Sequence, residues 1–95
     1  MKAVKRAGSA ELERLYKALA KMDAPADIAA LLEDMCTIRE IDEMAQRLNV
    51  ARLLLDDMPY TAITEKTGVS ATTIARVAKA LNYGAGGYRQ VLTDQ

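Results

Sequence analysis

The sequence predicts an all-α protein of about six helices with a helix-turn-helix in its C-terminal half, and three observations carry that reading. Apolar residues recur three and four positions apart over most of the chain, the repeat that lines one side of a 3.6-residue helix. No stretch alternates apolar with polar residues in the way a half-buried strand requires. Short breaks built from Gly, Pro and capping residues divide the periodic stretches into helix-sized lengths.

Ser9 is expected to cap the first helix, and Leu12, Leu15, Tyr16, Leu19 and Met22 line its inner face. Asp23 is expected to cap the second, with Pro25 in a first turn where a missing N–H costs little. Ile28, Leu31, Leu32 and Met35 form its stripe, and it ends near Cys36. Thr37, Ile38, Arg39 and Glu40 spell a capping box, in which the Thr hydroxyl takes one free N–H and the Glu carboxylate takes another. A third helix therefore opens there and runs to about Asp56. It has more than one apolar face: Ile41, Met44, Ala45, Leu48, Ala51 and Leu55 form one stripe, and Val50, Leu53 and Leu54 widen it. Such a helix needs partners on two sides. Either the first two helices wrap it within one chain, or a second copy covers it. A chain of 95 residues is one domain that hides only roughly 60 to 65% of its unfolded surface, so a two-fold dimer is the stronger expectation.

After Pro59 the pattern changes to two short helices joined by a tight turn. Tyr60 to Thr67 reads as one helix with Ile63 inward, Gly68 ends it in a left-handed conformation, and Ser70 caps a second helix through Leu81. Ile74, Val77, Ala78 and Leu81 keep the inward spacing, which leaves Ala71, Thr72, Ala75, Arg76 and Lys79 outward. That is the layout of a helix-turn-helix. A recognition helix has to push its first turn into the major groove, so large residues there would hold the backbone away, while hydroxyls meet phosphates or base edges. Ser70, Ala71, Thr72 and Thr73 suit that task, Arg76 and Lys79 add cationic reach, and Lys66 on the preceding helix can take a backbone phosphate. A plain helical hairpin would also use a Gly turn and a Ser cap, so the motif leaves both readings open.

Composition narrows the function classes. The chain has 13 Lys plus Arg, 13 Asp plus Glu and no His, which removes Ser-His and Cys-His dyads and any His-ligated metal. No enzyme is expected, and no cofactor or metal. A single Cys fits a reducing compartment, and Cys36 is expected to pack as a small apolar residue. Zero net charge argues against a non-specific polyanion binder. Charge is unevenly spread, however: residues 11–58 carry 11 acids and 6 bases, and residues 59–95 carry 4 bases and 2 acids. The longest apolar run is Ile28 to Leu32, too short for a membrane, and no apolar run follows Lys2, Lys5 and Arg6, so neither an anchor nor a signal peptide is expected and the setting is the cytoplasm. Gly84-Ala85-Gly86-Gly87 follows a helix rather than a strand, which makes it a hinge and not a phosphate loop. It lets a last short helix with Tyr88, Val91 and Leu92 fold back on the body. The pairs Glu33-Asp34 and Asp56-Asp57 read as solvated helix ends.

Cys36-Thr37-Ile38-Arg39-Glu40-Ile41, Ala45-Gln46-Arg47-Leu48, Tyr60-Thr61-Ala62-Ile63, the run from Thr67 to Val77, and Leu81-Asn82-Tyr83-Gly84 together resemble the tryptophan-repressor superfamily, most closely its short YerC/YecD-type repressor-like branch. The resemblance spans roughly residues 10 to 92. It implies an intertwined homodimer in which residues 10–58 supply the dimerisation helices, 60–81 the helix-turn-helix and 85–93 a C-terminal helix. It also implies a transcriptional regulator, repressor-like, that binds double-stranded DNA at an inverted-repeat operator. The remaining alternative is a small helical interaction module that keeps the fold without specific DNA binding. In the tryptophan-switched member of the superfamily the indole lies between two arginines; Arg47 and Arg76 stand at the matching positions, and Thr37 matches a threonine of the same pocket. These three are the candidate effector contacts. Val77 stands where that repressor has Gly, and Ala80 stands where it has the Ser that receives the ligand's amino group, so tryptophan is not the expected effector. Arg47 has a second reading, an ion pair with Glu43 one turn earlier.

Overall fold

A computed structural model of the protein describes residues 5–93. Among the described residues there are six helices and no strand: α1 (Ser9–Ala20), α2 (Pro25–Met35), α3 (Ile38–Leu55), α4 (Tyr60–Thr67), α5 (Ala71–Tyr83) and α6 (Gly87–Leu92). The chain divides into two compact units, Met1–Ile38 and Arg39–Gln95.

The first unit holds α1 and α2. α1 starts one residue earlier than its sequence suggests: Gly8 is the N-cap, and its carbonyl accepts from the Leu12 N–H at 3.1 Å, which leaves Ser9 inside the first turn. Ala24, not Asp23, caps α2, because the Ala24 carbonyl already receives the Asp27 and Ile28 amides at 3.1 and 3.2 Å. Pro25 takes the first helical position, where its fixed φ suits the helix and no donor is lost. Cys36 ends α2 in extended backbone, its N–H donating to the Leu32 carbonyl at 2.8 Å, and it is half-buried. Neither helix buries a single residue; Leu12, Leu15, Leu19, Ile28, Leu31 and Leu32 stay half-exposed, and Tyr16 and Met35 are exposed.

The second unit owns the core. Val50, Ala51 and Leu53 of α3, Ile63 of α4, Val69 of the turn, and Ile74 and Val77 of α5 form one buried cluster, with Leu54, Met58, Tyr88 and Leu92 packed at its edge. Only the C-terminal part of α3 enters it. Ile38, Met44 and Leu48, on the earlier turns, are 81, 37 and 41% exposed. The doubled apolar character of α3 is thus divided along its length, with one end in the core and the other partly exposed. Of the three apolar residues expected to fold α6 back, Tyr88 and Leu92 do so, while Val91 faces outward, since a six-residue helix presents only one side to the core.

Candidate nucleic-acid interface

The turn between α4 and α5 is built by three local devices. Gly68 ends α4 at φ 77°, a left-handed conformation that costs a residue with a Cβ about 1–2 kcal/mol, and its N–H donates to the Thr64 carbonyl at 2.8 Å. The Thr67 hydroxyl donates to the Ile63 carbonyl at 2.7 Å and accepts from the Val69 amide at 3.1 Å, which holds Val69 so that its side chain is buried beneath the turn. Ser70 then caps α5: its Oγ accepts from the Thr73 amide at 3.3 Å and donates to the Thr73 Oγ1 at 3.2 Å. The start of α5 is therefore fixed before any tertiary contact is counted, and α4 and α5 pack on each other across the turn.

Buried Ile74, Val77 and Leu81 set the rotation of α5 about its axis, with Ala78 half-buried beside them. The opposite side faces out: Ser70, Ala71, Thr72, Ala75, Arg76 and Lys79 are all exposed, and Thr73 is half-buried. The outer face carries two cations and no acid, at a helix N-terminus whose free amides favour an anion. Lys66 is exposed in the last turn of α4. The candidate DNA contacts on α5 thus share its outer side, with one division of labour that the sequence did not reveal: the hydroxyls of Ser70 and Thr73 are engaged with each other, whereas Thr72 makes no such local bond among the described residues.

Beside α5 lies a second feature. A cleft of about 390 Å³ is lined by Glu43, Gln46 and Arg47 of α3, by Thr73, Arg76, Val77 and Ala80 of α5, and by Tyr88 of α6. Arg47 and Arg76, far apart in sequence, both line it. The ion pair expected between Glu43 and Arg47 is not formed; Glu43 pairs instead with Arg39 at 3.5 Å, on the preceding turn. Among the described residues neither Arg47 nor Arg76 has an ion-pair partner, so the cleft holds two guanidinium groups with donors to offer. Val77 lines it while packed in the core, only 2% exposed, and Ala80 brings no hydroxyl. Thr37 belongs to the first unit. Sequence reasoning missed Gln46 and Tyr88 as lining residues; Gln46 adjoins Arg47, but Tyr88 arrives only because the chain reverses after α5. No group of acids and cysteines able to hold a metal ion occurs among the described residues.

Residues 10–95 match the profile of the family described as Trp repressor protein. The chain belongs to the Trp repressor family. The uncharacterized protein YerC of Bacillus subtilis is 39% identical over 82 residues, which span 86% of this chain and 79% of that protein. A TrpR-like protein from Eubacterium eligens superposes with a TM-score of 0.83 at 40% identity, covering 87% of this chain and 86% of the other. A candidate Trp repressor from Staphylococcus aureus also reaches 0.83, at 30% identity over 90% of this chain and 85% of the other. The Trp repressor fold confirms the all-α, six-helix expectation, and in this family member α4, Gly68 and α5 are the helix-turn-helix.

Proposed function

We propose that this Trp repressor family member is a transcriptional regulator, not an enzyme, that binds an inverted-repeat operator in double-stranded DNA as a homodimer. The observation that carries the reading is the outer face of α5: a row of small and hydroxylated residues running into Arg76 and Lys79, exposed along its length and free of acids. Thr72 is the base-reading candidate, Lys66, Arg76 and Lys79 the phosphate contacts, and Ser70, Ala71 and Thr73 the close-approach edge of the helix.

Support for the dimer comes from exposure. Two helices that bury nothing, followed by a third with Ile38, Met44 and Leu48 in solvent, leave apolar surface that needs a cover, and a second copy of the same surface meets the need with two-fold symmetry. The proposal extends to the interlocked arrangement of the two copies that the family resemblance implies. No helix of the described residues is long and apolar enough to cross a membrane, in keeping with a protein that works on DNA in the cytoplasm. The cleft is offered as an effector site in which Arg47 and Arg76 meet an anionic group. Tryptophan is not proposed for it, because Val77 occupies the space and Ala80 offers the amino group no acceptor.

Selection of bound sequences from a random DNA pool, with and without tryptophan, tests this reading. The expected outcome is one enriched inverted repeat, its half-sites about 34–36 Å apart, the same in both arms. Affinity for that site should fall steeply with salt as phosphates are neutralised. A pool that never converges, together with a protein partner whose binding ignores salt, would establish the alternative of an interaction module, for which the zero net charge speaks.

A further inference from the structure

α6 does more than close the core. The chain can reverse after α5 only because Gly84 lacks a side chain, since a Cβ there would stand 2.4 Å from the Ala80 carbonyl oxygen. The reversal returns Arg89 to the end of α5. Its Nε donates to the Leu81 carbonyl at 3.1 Å, and its Nη2 donates to the Asn82 Oδ1 at 3.1 Å. The Leu81 carbonyl is one of those at the helix end without an intrahelical donor, and the guanidinium sets a positive charge against the negative end of the helix dipole. Tyr88 and Leu92, on either side of Arg89 in the chain, pack at the edge of the core and anchor α6 there. α5 is thus gripped at both ends, by the Ser70 cap and by Arg89.

We infer that Arg89 is a positioning residue for DNA recognition: it touches no base, but by pinning the carboxyl end of α5 it fixes the angle at which the reading end is presented. Thr72 and Leu81 are nine residues apart, roughly 13–14 Å along a helix, so a tilt of about 5° displaces Thr72 by roughly 1 Å. A shift of that size breaks hydrogen bonds to base edges, which tolerate only a few tenths of an ångström, and barely alters attraction to phosphates. This inference rests on the DNA-binding reading above.

The test compares the full-length protein with its Arg89→Ala and Arg89→Lys variants at a temperature where circular dichroism shows all three folded. Affinities are measured for the selected operator and for random duplex DNA, and hydrogen exchange is followed at the amides of Leu81 to Gly84 in the DNA-free proteins. Arg89→Ala is expected to lower the ratio of operator to random affinity by tenfold or more and to speed exchange at those amides by a similar factor. Arg89→Lys, which keeps the charge and one donor for the Leu81 carbonyl, should recover part of both. Equal losses on operator and random DNA would make Arg89 a phosphate contact and overturn the inference. An unchanged ratio beside a lowered melting temperature would reduce it to a stabilising residue and overturn it too. An unmodified protein with no operator preference rejects the DNA reading instead; unchanged exchange in Arg89→Ala then rejects the pin itself.

Discussion

Ser70 offers a perturbation in which stability and DNA binding can be driven apart. Its Oγ accepts from the Thr73 amide at 3.3 Å in an exposed setting, a long bond, so Ser70→Ala should cost about 0.5–1 kcal/mol, the lower part of the range for a lost N-cap. For a domain of this size that lowers Tm by roughly 2–8 °C. Ser70→Asp should cost almost nothing in stability, because Asp is as good an N-cap as Ser and its charge suits a helix N-terminus. The same carboxylate would, however, sit on the exposed edge that is proposed to meet phosphates. Like charges about 4 Å apart repel by about 1 kcal/mol in water and about 4 kcal/mol near a protein surface, so operator affinity should fall at least about fivefold per copy, less at high salt. Thermal unfolding and fluorescence-anisotropy titration at two salt concentrations read the two effects separately. A Ser70→Asp variant as stable as the unmodified protein, yet binding operator equally well, would show that the start of α5 does not face DNA, and the docking argument would fall.

Further outcomes are expected on the same reasoning. Thr72→Ala should weaken operator binding by about 1–2 kcal/mol with the fold intact, since Thr72 is exposed and makes no local bond among the described residues; equal losses on operator and random DNA would refute base reading there. Leu48→Asp should leave the second unit folded, because Leu48 is 41% exposed in the single chain, while placing a carboxylate in the proposed dimer contact at a cost of several kcal/mol. Sedimentation should then show monomer where the unmodified chain is expected to be a dimer, and an unaltered dimer would remove that surface from the interface. Gly68→Ala isolates backbone strain: nothing lies within 4 Å of the added Cβ, but φ is 77°, so urea unfolding should register a loss of about 1–2 kcal/mol. An unshifted midpoint would mean that the turn relaxes freely.

The local parts of this protein were legible in its sequence because short-range chemistry decides them. Gly68 and Ser70 mark the turn between α4 and α5, although α5 runs on to Tyr83 rather than ending at Leu81, and the spacing of Ile63, Ile74, Val77 and Leu81 already separates the core side from the outward row that ends in Lys79. Caps were less legible at Ser9 and Asp23, where a neighbouring backbone carbonyl had already opened the helix and the side chain was not needed. The all-α class could be read for the same reason: periodicity and turn residues are properties of the chain itself, whereas the family was carried by the resemblance of particular segments such as Thr67 to Val77. Tertiary structure decided what periodicity cannot address. It chose which end of α3 enters the core and left Val91 in solvent. It joined Arg47, Arg76 and Tyr88 around one cleft and returned Arg89 to the end of α5, because such meetings depend on the angle at which a glycine hinge sends the chain back, and no local pattern encodes that angle.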